Sequence, residues 1–370
     1  MMRVVWIVPG FSRDETDWCI PALRDLAREI ALRCDLHIVA LHYPYRRDIY
    51  RVFGATVHSL GGANRGGRHT LSLWRAALRK VDALRPDVVH AFWAYPSGVI
   101  AAWLAPKIPA IVHLAGGELI DLPRFHYGLW GKWHIRWWMR WALRRVRVVT
   151  AGSRYLIDLA ERWIPDREIS FAPLGVDRGL FTISAPDRAN GPPTVLNVGS
   201  LEPIKDQTML LRAFQRISNA LPTARLILVG QGRLENELRD VRRSLGLSDR
   251  VEFMGEMPHH NLPALYRSAA ICVQSSQHEA QGMAMLEAAA CGVPLVGTAV
   301  GTVADLSPDA AVAVPVGDEV ALAQAMISLL MEPQWQMRLR RAATDVIARE
   351  YALTRAVDRA MMMYEMTNEK

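Results

Sequence analysis

A chain of 370 residues is too long for one ordinary hydrophobic core and suits two domains of roughly 150 to 200 residues each. Apolar residues make up 51% of it and charged ones 22%, which excludes a disordered or fibrous protein, and the four cysteines Cys19, Cys34, Cys272 and Cys291 lack the spacing of a zinc site or disulfide framework. The net charge of +7 is uneven, with 26 Lys+Arg against 16 Asp+Glu in residues 1–184 and 18 against 21 in the remainder.

The opening MMRVVWIVPG carries one charge and a short apolar run without a small-residue cleavage site, so it reads as a buried first strand rather than a signal peptide. No window reaches about 18 consecutive apolar residues, and no membrane-spanning helix is predicted. Strand and helix patterns then alternate: a helix near Cys19–Arg33, the strand LHIVAL, a helix near Leu71–Leu84, the strand DVVHAF, a short helix at Ser97–Leu104 and the strand PAIVHL. After a tryptophan-rich stretch come VRVVTAGS, a helix at Arg154–Trp163 and ISFAPLG. Such alternation predicts a doubly wound α/β domain over residues 1–181.

Residues 182–193, TISAPDRANGPP, carry three prolines and no periodicity and are expected to be a linker. The alternation restarts with PTVLNVG, ARLILVG, RVEFMG, AAICVQS and VPLVGT, each followed by a helical pattern, so residues 194–350 form a second doubly wound domain. Residues 351–370 form a last helix. Ligands of open parallel sheets bind at the carboxyl ends of the strands, and two such sheets are expected to share a cleft.

The strongest local signal is SSQHEAQGMAMLEAAACGVP, residues 275–294, where a strand passes to a helix near Gly282 with Glu279 before it and Glu287 inside it. Free amides and the dipole at a helix start make an anion site, where a diphosphate could sit. In VLNVGSLEPIKDQTMLL, residues 195–211, Gly199 makes a tight turn and Lys205 stands at a helix entrance, placed to neutralise phosphate. LILVGQGRLENEL, residues 226–238, has GxG without the third glycine of a dinucleotide fingerprint, so an NAD site is not indicated.

Taken in order, these motifs resemble the retaining GT-B glycosyltransferases of family 4: Gly199 to Lys205, Val229 to Gly232, Val251 to Gly255, Glu279 to Glu287 and Glu287 to Pro294, with APLGVDRGLF upstream. The resemblance implies an α/β GT-B fold, two Rossmann-like domains facing a central cleft, with the C-terminal helix returning to the N-terminal domain. It implies Lys205 on the donor diphosphate with Gly199, Ser200, Gly230, Gly282, Met283 and Ala284 beside it, Glu287 on the ribose, Glu279 on the transferred sugar, and Phe253 near the base. No DxD motif is present, and no metal or cofactor is expected; the nucleotide-sugar is a substrate.

Three departures accompany the resemblance. Ser200 stands where many members have arginine, Gln281 replaces an aromatic, and Ala115 in HLAGGEL stands where the family often has histidine. His113, two residues earlier on the same strand face, is the catalytic candidate in its stead. Glu118, Gly10 and Asp14 are candidates near the acceptor.

From Arg124 to Arg147 there are seven positive residues, no acidic one and five tryptophans. On a helical wheel Trp130, Trp133, Trp137 and Trp141 form one stripe, with Lys132, Arg136, Arg140 and Arg144 beside it. This suits contact with an anionic membrane surface; nucleic acid is not indicated. The sequence thus points to a cytoplasmic transferase, peripheral on the inner membrane face, that moves a sugar from a nucleotide-diphosphate donor to a saccharide or lipid-linked acceptor. A GT-B sugar-nucleotide epimerase and a non-catalytic membrane-associated partner stay open as alternatives.

Overall fold

A computed structural model describes residues 1–17, 19–62, 67–183 and 191–369. Most of the expected linker, residues 184–190, lies outside the described residues. The chain forms two compact units, Met1–Leu122 with Gly128–Gly175 and Leu353–Lys370, and Pro123–Tyr127 with Val176–Ala352.

The first unit is built on β1 (Arg3–Gly10), a nearly continuous apolar run buried on both faces, as an interior parallel strand requires. Helix α1 (Pro21–Ile30) leads to β2 (Asp35–Tyr43), and then come β3 (Arg47–Val52) and β4 (Ala55–Leu60). The sequence predicts no strand between β2 and the next helix. β3 escaped because its charges, Arg47, Asp48 and Arg51, are exposed on an antiparallel edge strand, where such residues block further pairing. The unit continues with α2 (Gly67–Leu84), β5 (Val88–Phe92), α3 (Val99–Leu104), β6 (Ala110–Leu114), a ribbon of β7 (Asp121–Leu122) and β8 (Tyr127–Gly128), α4 (Trp133–Arg145), β9 (Val148–Ala151), α5 (Arg154–Glu161) and β10 (Ser170–Phe171). Strand order in the large sheet is β10-β9-β6-β5-β1-β2-β4-β3.

The second unit holds β11 (Thr194–Val198), α6 (Gln207–Ala220), β12 (Arg225–Val229), α7 (Glu235–Ser244), β13 (Val251–Gly255), α8 (Leu262–Ser268), β14 (Ile271–Gln274), α9 (Met283–Ala290), β15 (Leu295–Thr298), α10 (Gly301–Leu306), β16 (Val312–Val314), α11 (Glu319–Met331) and α12 (Pro333–Val346). Its sheet is parallel throughout, in the order β13-β12-β11-β14-β15-β16. The order reverses between β11 and β14, so their carboxyl ends flank the crevice where such sheets take ligands.

The last helix, α13 (Leu353–Asn368), belongs to the first unit and packs on α1. Tyr364 is buried there, its hydroxyl 2.9 Å from both Trp6 Nε1 and His90 Nδ1. Trp6 Nε1–H donates to the hydroxyl; burial keeps His90 neutral by pushing its pKa well below the ordinary value.

Candidate active site

The loops after β11, β12 and β13 are tied edge to edge in the second unit. Gly199 N–H donates to Val229 O at 2.9 Å, Leu201 N–H to Gln231 O at 3.0 Å and Gly230 N–H to Gly255 O at 2.8 Å. A β-carbon on Gly230 would lie 2.0 Å from Gly199 O, and its φ of +131° also demands glycine. Gly199 differs: a β-carbon there would meet no protein atom within 4 Å.

Lys205 closes a single turn, Pro203–Lys205, before Asp206 caps α6 by accepting from Met209 N–H at 3.2 Å. Its ammonium donates to Glu279 Oε1 at 2.5 Å, and Ser276 Oγ donates to the same oxygen at 2.7 Å. Two backbone ties fix the approach: Ser275 Oγ to Lys205 O at 2.8 Å, and Gln277 N–H to Ile204 O at 2.8 Å. Residues from the ends of β11 and β14, remote in sequence, are thereby brought together.

Immediately beyond Glu279, Gly282 takes a left-handed φ of +90° and starts α9. The N–H groups of Met283 and Ala284, in the first turn, have no intrahelical acceptor. The preceding loop is held by Thr302, whose N–H donates to Gln281 O at 2.7 Å and whose hydroxyl bonds the same oxygen. Ser200, Lys205, Arg233, His278 and Glu279 line one cavity of about 380 Å³ together with Phe125–Tyr127. Arg233 was not singled out from the sequence. It directly follows GxG, where an arginine reads as a solvated cation, yet its Nε pairs with Glu202 at 2.9 Å and holds it at this cavity.

Glu287 is buried on α9 with both oxygens engaged. Oε1 bonds His259 Nε2 at 2.8 Å and Oε2 accepts from Tyr266 Oη at 3.0 Å. Phe253 is not brought to the Lys205 cavity. Its ring lies under the guanidinium carbons of Arg239 at 4.7 Å and Arg242 at 5.7 Å, facing a depression at the amino ends of β11 to β13.

In the first unit, His113 ends β6 as expected but is 2% exposed, with Nδ1 2.9 Å from Thr150 Oγ1. Burial lowers its pKa to about 4, which makes it a neutral core imidazole. Glu118 is also buried: Oε1 accepts from Ala94 N–H at 3.1 Å and Ala115 N–H at 3.2 Å, and Oε2 from Gly116 N–H at 2.6 Å. Burial raises its pKa while these bonds oppose the rise, and the carboxyl clasps two loops. Asp14 caps its own exposed turn through Thr16 and Asp17, and a β-carbon on Gly10 would lie 2.9 Å from Tyr43 Cβ.

The aromatic stripe needs one correction. Helix α4 begins at Trp133, and Trp130 lies before it, buried against Trp163 with ring centroids 4.9 Å apart. The core-facing residues of α4 are Ile135, Met139, Ala142 and Leu143. Trp133 and Trp137 are 74% and 57% exposed, and Trp103 of α3, 53% exposed, lies 5.4 Å from Trp141. Arg140 and Arg144 line a surface depression with Trp137 and Trp141. Among the described residues no helix is long and apolar enough to cross a membrane.

Residues 182–346 match the family model of glycosyl transferases group 1, and residues 20–175 match the glycosyl transferase 4-like domain. The chain is 31% identical to a D-inositol 3-phosphate glycosyltransferase of Stackebrandtia nassauensis over 73% of its own length and 67% of that protein's. Other curated relatives are matched over about half to two thirds of their length. The fold is shared with sucrose-phosphate synthase from Thermosynechococcus elongatus, at a TM-score of 0.84 and 19% identity over 99% of each chain. It is shared likewise with Anabaena HepE, solved in complex with UDP and glucose, at a TM-score of 0.76 and 17% identity over 99% of this chain and 100% of that one. With both halves matched and the GT-B fold in place, the chain belongs to the family 4 glycosyltransferases, the glycosyl transferases group 1.

Proposed function

We propose that the protein is a retaining glycosyltransferase that carries a sugar from a nucleotide-diphosphate donor to a hydroxyl acceptor without a divalent ion. One observation carries this reading. At the β11/β14 switch point, the Lys205 ammonium, ion-paired with Glu279, lies in the same cavity as Arg233, and α9 opens with free amides just after Glu279. An ammonium has three N–H donors, so one bond to Glu279 leaves two for phosphate oxygens. Glu279 keeps its second oxygen for a hydroxyl of the transferred sugar.

As the glycosidic bond to phosphate breaks, negative charge grows on the leaving diphosphate. Preorganised cations and amides stabilise that charge more than they stabilise the bound donor, which lowers the barrier. Arg233 supplies the second cation that Ser200 does not. Open space at Gly199 lets a phosphate approach the backbone. The UDP in the HepE structure makes UDP-glucose the first donor to try.

For the acceptor, the reading is a lipid-linked or growing saccharide met at an anionic membrane surface. The exposed rings of Trp103, Trp133 and Trp137 beside Arg140 and Arg144 support it, since aromatic rings favour the interface and arginines the lipid phosphates. Turnover of Lys205→Ala against wild type tests the donor site: a loss of at least about 100-fold is expected for one preorganised contact, and wild-type turnover would refute the assignment.

A further inference from the structure

We propose that the second unit carries a second anion site, separate from the Lys205 cavity, that takes a small sugar phosphomonoester. The site is a recess of about 650 Å³ at the amino ends of β11, β12 and β13, lined by the first residue of each strand, Thr194, Arg225 and Val251. Lys205 and Arg233 stand beyond the carboxyl ends of β11 and β12. The five residues of β12 span roughly 13 Å at about 3.3 Å per residue, so the two sites lie at opposite ends of the sheet. The proposal does not depend on what the Lys205 cavity binds.

The charge of the recess runs against that of the chain around it. Residues 185–370 hold 18 Lys+Arg against 21 Asp+Glu, yet Arg225, Arg239, Arg242 and Arg250 line the recess against only Asp249 and Glu252. Both carboxylates are exposed. Of the four arginines, Arg239 alone is ion-paired among the described residues, with Glu235 at 2.7 Å. The other three cations are left uncompensated.

Two of them are also held in place with donors unmet. Arg239 and Arg242, three residues apart on α7, both stand over the Phe253 ring, at 4.7 and 5.7 Å. Stacking uses the face of a guanidinium and leaves its N–H edge for oxygen acceptors. Arg242 Nη1 donates to Val251 O at 3.0 Å, but its Nε is buried with no partner among the described residues, and so is Nη1 of Arg250. Both arginines are half-buried, so each loses hydration that no protein acceptor returns, while like charges gathered around one recess repel. A shared dianion offsets both costs. Guanidinium forks match phosphate oxygens in pairs, and the volume exceeds a bare phosphate and falls in the range of small-molecule sites, which leaves room for the sugar.

The experiment is calorimetric titration of ribose 5-phosphate and of ribose, at constant ionic strength, into wild type, Lys205→Ala, Arg242→Gln and Arg250→Gln. Wild type and Lys205→Ala are expected to bind ribose 5-phosphate alike and ribose not at all. Arg242→Gln and Arg250→Gln are each expected to weaken ribose 5-phosphate about 10-fold, as loss of one charge-assisted bond would do. Because Arg242 also ties the start of β13, Arg250→Gln is the cleaner variant. Its melting temperature without phosphate is expected to equal or exceed that of wild type, since a repelling charge is removed; a lower one would mark Arg250 as structural and contradict the uncompensated charge. Affinity unchanged in Arg250→Gln, equal binding of ribose, or no binding of ribose 5-phosphate by wild type overturns the site. Loss of binding in Lys205→Ala would place the phosphate in the Lys205 cavity and overturn it too. Each of these outcomes leaves the donor-site reading standing.

Discussion

Gly199 and Gly230 lie in adjacent loops, yet the fold requires glycine only at Gly230, where a β-carbon would overlap a carbonyl oxygen. Gly230→Ala is therefore expected to lower the melting temperature by several degrees, through strain at a position where φ is +131°. Gly199→Ala is expected to melt like wild type but to bind nucleoside diphosphate about 10-fold more weakly, because the methyl occupies the phosphate approach. Thermal shift with and without UDP separates the two. Arg233→Ala is expected to weaken UDP about 10-fold while UMP changes little, as removal of one charge-assisted bond to the outer phosphate would do; equal loss for both would place Arg233 elsewhere. Lys205, Glu279 and Gly282 could be picked out because each follows a strand end in a glycine-marked turn. Arg233, His259 and Tyr266 could not, since their roles depend on partners remote in sequence.

At the scale of elements, His113 illustrates an ambiguity that alternation leaves open. A histidine at a strand end has the same spacing whether its ring enters the core or a groove, and only the packing of β5, β6 and β9 decides. His113 and His58 are both held by burial at about 4, below the ordinary 6.5. Folding favours the neutral rings, so their contribution to stability is intact above about pH 6.5 and is lost as the pH falls towards 4. Denaturant midpoints are expected to drop from pH 7 to pH 5, and His113→Gln to show a shallower drop; an unchanged slope would contradict the assignment. Helix α4 was readable in its period but not in its start, because Trp130 continues the stripe in sequence while packing outside the helix. Replacing Arg140 and Arg144 with Gln is expected to reduce cosedimentation with phosphatidylglycerol vesicles at low salt several-fold. Equal binding by the variant would mean that this face does not meet lipid.

Over the whole molecule, both doubly wound sheets could be anticipated from buried apolar runs alternating with helical periods. The β3–β4 hairpin could not, because an edge strand trades apolar alternation for charge. The attachment of α13 to the first unit had no local signal either; it depends on Tyr364 meeting Trp6 and His90. Family membership supports a transferase.

The most direct measurement is turnover of UDP-, GDP-, ADP- and dTDP-glucose, with EDTA present, by wild type and Lys205→Ala. Release of nucleoside diphosphate by wild type from at least one donor, undiminished by the chelator and reduced at least about 100-fold in Lys205→Ala, is the expected result. Turnover abolished by EDTA, or equal in the two proteins, would contradict a diphosphate caught by Lys205, Arg233 and a helix start without a divalent ion.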